Sequence, residues 1–282
     1  RRRLLMLNKI LERFTENDSR IQTPTNGGMG KSISNSQMNK KLYTGILPPS
    51  IIKDKTILDF GPFIFLSGAW SLYHGAKHVT GVEYSKQNCV IGEKCMRMFF
   101  TKNWQLENTL IEKFIANNDQ KYDVILIAGT IHKLSNKTAF LEWCVEHSDY
   151  VIIEGNYPPL WHYLLDKPRW WKDREHTVFE DIYSTQDKEM VSKILESPYY
   201  GAWFQQFIQD KLPLYQHSVF TGVKRPLGNG ATTTYTSPNY YEYFFKYNGW
   251  QFQSVHNDYL TEHMSDYYTF PRRYCVAYKK VA

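Results

Sequence analysis

Short apolar runs alternate with longer amphipathic stretches through the middle of this chain. Thr56–Phe60 and His78–Val82 are brief apolar runs, and Tyr122-Asp-Val-Ile-Leu-Ile-Ala128 is a third, longer and nearly uninterrupted. Runs of this length and purity predict strands buried on both faces, as in a parallel sheet. Between them Gln87–Thr101 has a helical pattern, with Val90, Ile91, Cys95, Met98 and Phe99 predicted to face inward. Thr109–Asn117 is weaker and fits helix or strand. Asn136–His147 predicts another helix, and Tyr150-Val-Ile-Ile-Glu154 the next strand. Strands alternating with helices imply an α/β fold, a mostly parallel sheet with helices on both faces.

After residue 155 the alternation stops. Residues 156–230 hold prolines at 158, 159, 168, 198, 213 and 226 and tryptophans at 161, 170, 171 and 203. A stretch of roughly 75 residues is too long for a plain loop and predicts an inserted, aromatic-rich subdomain or lid. Short helices are expected within it at Thr185–Leu195 and Ala202–Asp210. Alternation resumes at Ser237-Pro238, an N-cap and N1 pair opening a helix over Asn239–Tyr247 that stops at Asn248-Gly249. Strands at about Gln251–His256 and Arg273–Lys279 follow. At the other end, Arg1–Phe14 predicts a basic amphipathic helix with Leu4, Leu7, Leu11 and Phe14 on one face, packed on the domain. The expected organisation is therefore 1–49 (helix and polar connector), 50–155 (sheet core), 156–230 (insert) and 231–282 (closing helix and strands).

Composition narrows the class without naming a function. Charged residues at 22% and hydrophobic ones at 42% of 282 describe an ordinary globular chain. Aromatic content is high at 16%, with 21 Tyr and 8 Trp, which first predicts an aromatic core and second a surface for stacking bases. The formal charge of +6, from 34 basic and 28 acidic residues, permits an anionic partner without requiring one. Cys89, Cys95, Cys144 and Cys275 show no zinc spacing, so buried free thiols in a reducing, cytoplasmic-type compartment are expected; organellar or viral origin stays open. No apolar run reaches the ~20 residues that span a bilayer. Gly27-Gly-Met-Gly-Lys-Ser32 superficially suggests a phosphate loop. Its first required glycine is Thr25 and no hydrophobic strand precedes it, so a nucleoside triphosphatase is set aside.

The densest information lies in Thr56–Lys86: strand, sharp turn at Gly61-Pro62, helix, Gly75 at a helix C′ position, and a second strand ending in Glu83. An acid at this distance from a glycine turn can accept hydrogen bonds from a ribose. Leu58-Asp59-Phe60-Gly61 and Gly81-Val82-Glu83 resemble the first and second motifs of class I, Rossmann-like S-adenosylmethionine-dependent methyltransferases. The pattern is nearest to relatives of transfer-RNA wobble-uridine modifying methyltransferases, which carry a Leu-Asp-hydrophobic-Gly-Pro start and a Gly-Ala pair, here Gly75-Ala76. Gly129-Thr130-Ile131-His132-Lys133-Leu134 is similar to that family's fourth motif. The glycine motif departs: Phe63, Ile64 and Phe65 stand where the family favours glycine and small polar residues. These side chains either reshape the cofactor pocket or fill it.

The resemblance implies an S-adenosylmethionine site formed by Asp59, Gly61, Pro62, Glu83, Tyr84 and Gly129. It implies Thr130 and His132 at the reaction centre, and an antiparallel last strand in the sheet. Glu154, Asn156, Tyr157 and Trp161, at and beyond the end of the next strand, are expected to face the acceptor, either RNA or a small molecule. Each has a plainer reading: Asp59 capping the turn, Glu83 favouring a helix N-terminus, His132 packing, and the insert's tryptophans forming its own core. Two functions stand side by side, a methyltransferase and an inactive relative serving as a binding or structural subunit, the latter overlapping with an RNA-binding accessory protein.

Overall fold

The computed structural model describes residues 2–16, 35–134, 136–156, 219–220, 235–236, 238–253 and 273–281. Three helices, α1 (Arg2–Glu16), α2 (Asn35–Ile46) and α3 (Pro49–Ile52), precede the sheet. Then come β1 (Thr56–Phe60), α4 (Leu66–Tyr73), β2 (His78–Glu83), α5 (Lys86–Phe99), β3 (Trp104–Asn108) and α6 (Ile111–Ile115). β4 (Tyr122–Ala128), a 3₁₀ turn at Ile131–Lys133, α7 (Lys137–His147) and β5 (Ser148–Asn156) complete the repeating part. A small hairpin pairs β6 (Val219–Phe220) with β7 (Tyr235–Thr236), and α8 (Pro238–Tyr247), β8 (Trp250–Gln253) and β9 (Arg273–Lys280) close the fold.

The seven-stranded sheet runs β3-β2-β1-β4-β5-β9-β8. β1 pairs in parallel with β2 on one side and β4 on the other, as the sequence predicts. β9 is antiparallel to both β5 and β8 and is inserted between them. Asp123 staples the lower ends of β1 and β4, accepting from the Thr56 N–H at 2.7 Å and its hydroxyl at 2.8 Å, with Lys55 at 3.0 Å.

Strand alternation sends side chains to two cores. On one face Ile57, Val79, Val124, Leu126 and Ile152 pack under the helices α1, α4 and α5. On the other, Leu58, Phe60, Val82, Ile125, Ile127 and Ile153 meet Phe140 and Leu141 of α7 and Tyr241 and Phe245 of α8. α1 belongs to the first core through Leu7, Ile10, Leu11 and Phe14. Trp70 of α4 ties the segment before the sheet to it by donating its ring N–H to the Leu47 carbonyl at 2.9 Å.

Several expectations need correcting. The polar connector ends in a helix, α2, over Asn35–Ile46. β3 was not expected at all, and Thr109–Asn117 resolves into the short helix α6. On α5 the buried side is Cys89, Gly92, Cys95 and Met96, while Val90 and Met98 face solvent. At about 100° per residue both lie well round the helix from the buried positions, so it is the helical phase, and not their apolar character, that places them outside. The insert's expected helices, and residues 27–32, lie outside the described residues.

Phe14 is fully buried in the first core. Phe14→Ala should therefore cost about 3–5 kcal/mol, read as a lower denaturant midpoint, because the deletion leaves a cavity as well as losing transfer free energy. An unchanged midpoint would show that α1 is not integral to the fold.

Candidate functional site

The parallel strands β2, β1, β4 and β5 end side by side, and the strand order reverses between β1 and β4. A reversal of this kind opens a crevice beyond the strand ends, since the loops on its two sides leave in opposite directions. Most of the predicted residues gather along this edge. Asp59 and Gly61 leave β1, Glu83 and Tyr84 leave β2, Gly129, Thr130 and His132 follow β4, and Glu154 and Asn156 end β5. Pro62 shapes the turn, its carbonyl accepting from the Phe65 N–H at 2.9 Å. Tyr157, Trp161 and the side chain of Asn156 lie outside the described residues.

The turn after β1 has an unusual backbone. Gly61, Phe63 and Phe65 all adopt left-handed φ, 72°, 59° and 65°. That conformation is free for glycine but costs a bulky residue roughly 1–2 kcal/mol. Contacts on either side of the turn offset the cost. Glu83, buried at the end of β2, accepts from the Phe63 N–H at 3.0 Å through Oε2 and from the Ser85 N–H at 2.9 Å through Oε1. The Phe65 ring is 0% exposed and lies in the first core, with Phe63 half-buried against the same cluster. Of the two outcomes the sequence left open for Phe65, the structure shows a ring turned into the sheet–helix core.

Across the crevice, Thr130 sits directly over Gly61, in the space a Cβ would need, and its hydroxyl donates to the Ala128 carbonyl at 3.1 Å. Gly129 donates its N–H to the Glu154 carbonyl at 2.9 Å, joining the exits of β4 and β5. Glu154 is itself buried, and His132 is half-buried in the 3₁₀ turn anchored by Ile131.

Asp59 is the most confined charge of the edge. It is 1% exposed, accepts from the Ser67 hydroxyl through Oδ2, and has no partner at Oδ1. Burial pushes its pKa up to about 7; the Ser67 bond opposes the shift and the neighbouring Glu83 charge adds to it.

Sequence reasoning missed four supporting residues. Ser67 holds Asp59, and Ser85 both donates to Glu83 and caps α5 by accepting from the Asn88 N–H. Asn108, at the end of β3, donates to the carbonyls of Glu83 and Tyr84, each at 3.0 Å. Leu110, just beyond, is 59% exposed. A serine before an amphipathic run was a usable signal for Ser85. Asn108 was hidden with β3, and Leu110 lies in the Thr109–Asn117 stretch whose pattern fitted helix or strand. Lys137 was also passed over: it is buried in the first turn of α7, donates to the Leu134 carbonyl at 3.3 Å, and burial lowers its pKa to about 8.

No family model matches the chain, and no curated protein matches it in sequence. Solved structures do match in shape. A "putative S-adenosylmethionine dependent methyltransferase" from Listeria monocytogenes aligns with a TM-score of 0.53 at 18% identity, over 86% of this chain and 100% of that one. The fold is that of the class I methyltransferases. PKMT2 from Rickettsia typhi (TM-score 0.47, 15% identity, 85% of this chain and 52% of that one) and a "putative RNA methyltransferase" from Pyrococcus horikoshii (0.39, 15%, 59% and 80%) are more distant. In this class I fold Asp59, Glu83, Gly129 and Glu154 occupy the carboxyl edge of the sheet.

Asp59 gives the fold a pH signature. Native Asp59 keeps its proton up to about pH 7, whereas an unfolded aspartate releases it near 3.8. Between those values the native state binds more protons, so this residue's contribution to stability falls as pH rises from about 4 to 7 and is level above. Asp59→Asn should remove that slope and leave the protein about 2–4 kcal/mol more stable than wild type at pH 8. Thermal midpoints of the two proteins across pH 4–8 test this, and parallel curves would contradict it.

Proposed function

We propose that the chain binds S-adenosylmethionine along the carboxyl edge of its sheet and transfers the methyl group to an acceptor. The observation that carries this reading is the pair of buried carboxylates, Asp59 and Glu83, at adjacent strand exits around a left-handed turn whose Phe65 ring faces away into the core. Bound there, the cofactor supplies an activated methyl group on a positively charged sulfur.

The chain's own residues then bind and orient. Each oxygen of Glu83 accepts one backbone N–H, and a carboxylate oxygen has two acceptor sites, so capacity is left for both ribose hydroxyls. Tyr84, 66% exposed, and Leu110 lie at the ends of neighbouring strands and offer apolar surface to a base. The partnerless Oδ1 of Asp59 suits the ammonium of the methionine part, which would draw the carboxyl pKa down and release a proton on binding. Gly61 makes room for Thr130 above the turn, Pro62 and Gly129 border the ligand, and Thr130 and His132 border the reacting atoms. Methyl transfer to a nucleophilic atom depends mainly on in-line positioning, so His132 needs only to orient the acceptor or take its proton. Glu154, Asn156, Tyr157 and Trp161 form the acceptor side, with residues 156–230 as the lid that selects RNA or a small molecule.

Calorimetry with S-adenosylhomocysteine tests the reading. Binding tighter than about 100 µM, or more than about 5 kcal/mol, is expected. Tyr84→Ala should weaken it by about 1–3 kcal/mol, the worth of stacking on a base, and leave the thermal midpoint unchanged because the side chain is exposed. Glu83→Ala should lose a comparable 1–3 kcal/mol of binding, leaving ribose hydroxyls without an acceptor, and should also loosen the turn. No binding at millimolar ligand would leave a methyltransferase fold serving as a scaffold.

A further inference from the structure

The turn at 61–65 keeps a backbone path suited to glycine at two positions occupied by phenylalanine, Phe63 and Phe65. The space that glycine would have left in the turn has moved behind it. A Cβ on Gly68, in the first turn of α4, would lie 2.6 Å from the Phe65 ring, and one on Gly81 of β2 would lie 2.8 Å from the same ring. A side chain at Gly68 would force the ring to move, and one at Gly81 would force the ring or the equally close Leu106 side chain to move. Gly92 of α5 completes the arrangement, since a Cβ there would come within 3.0 Å of the Ile64 carbonyl. Phe65 is also the residue that opens α4, its carbonyl accepting from the Ala69 N–H at 3.2 Å. One side chain thus packs against a strand and the first turn of α4 at once, while the Ile64 carbonyl beside it lies against Gly92 of α5.

We infer that Phe65 is the positioning residue of this turn: its ring, seated on Gly68 and Gly81, holds the Phe63 N–H against Glu83 before any ligand arrives. The inference rests on the reading of this edge as an S-adenosylmethionine site and adds that the site is preorganised by a core aromatic in place of a flexible glycine loop. It follows that restoring glycine at 65, which removes backbone strain, loosens the site. Unfastened, the turn releases one of the two N–H groups that fix the Glu83 carboxylate.

Amide exchange followed by NMR, without ligand and well below the unfolding temperature, reads the positioning directly. In Phe65→Gly the Phe63 amide should exchange about tenfold faster relative to Ile125 in the central strand, and S-adenosylhomocysteine should bind about tenfold more weakly. Phe65→Leu, which keeps much of the apolar volume, should be intermediate in both and serves if the glycine variant does not fold. Gly68→Ala should reproduce the loss by displacing the ring and should add nothing in the Phe65→Gly background. If Phe65→Gly and Phe65→Leu speed all amides equally and bind the ligand as wild type does, the ring is only core filling and the inference is overturned. If wild type itself fails to bind, the cofactor reading fails, while the Phe63 amide alone still decides whether Phe65 positions the turn.

Discussion

Glu83 is the constraint on which the upper half of the molecule depends. A carboxylate with 4% exposure is costly unless its oxygens are satisfied, and both accept backbone N–H bonds from the residues it must organise. One bond fixes the turn after β1, the other the entry to α5, and Asn108 holds the Glu83 carbonyl from the neighbouring strand. The exits of three strands are thereby set by one side chain and its backbone. Phe65 completes the arrangement from the core side, where the close approach of Gly68 and Gly81 makes room for its ring.

This geometry links the fold to its proposed chemistry. The two carboxylates nearest the strand-order reversal are buried and close enough to affect each other: Glu83 adds to the upward shift of Asp59. A ligand that brings a positive group to this edge relieves that repulsion, whereas an anion there would meet two carboxylates. Thr130 and Gly129 bring β4 into the same small volume, and the β5 exit supplies Glu154 beside them. The side chains that would otherwise obstruct a ligand at the turn are engaged with the helices below.

Much of the fold was legible because the central strands are apolar on both faces and cannot be mistaken for anything exposed. Thr56–Phe60, His78–Glu83 and Tyr122–Ala128 appear within a residue of their expected ends, and Gly75 takes the left-handed φ of 92° anticipated for a helix terminus. β3 escaped because Trp104-Gln-Leu-Glu-Asn108 is an edge strand with polar residues at alternate positions and only one neighbour. α2 escaped because Asn, Ser, Lys and Gly dominate it, and packing decides the outcome where propensity is weak. The placement of Asp59, Glu83 and Gly129 at the strand exits was readable from motif spacing. The direction of the Phe65 ring was not, since it turns on a positive φ in a non-glycine residue and on glycines 3 and 16 positions away.

The central claim is that the carboxyl edge between β1, β2 and β4 is a formed cofactor site with Phe65 withdrawn into the core. A crystal structure of the protein grown with S-adenosylhomocysteine tests it most directly. The account predicts ligand density across the Gly61 turn, ribose hydroxyls on Glu83, the amino group beside Asp59, and the Phe65 ring still seated on Gly68 and Gly81. Density for the Phe63 or Phe65 ring in that crevice, or ligand bound elsewhere, would contradict it.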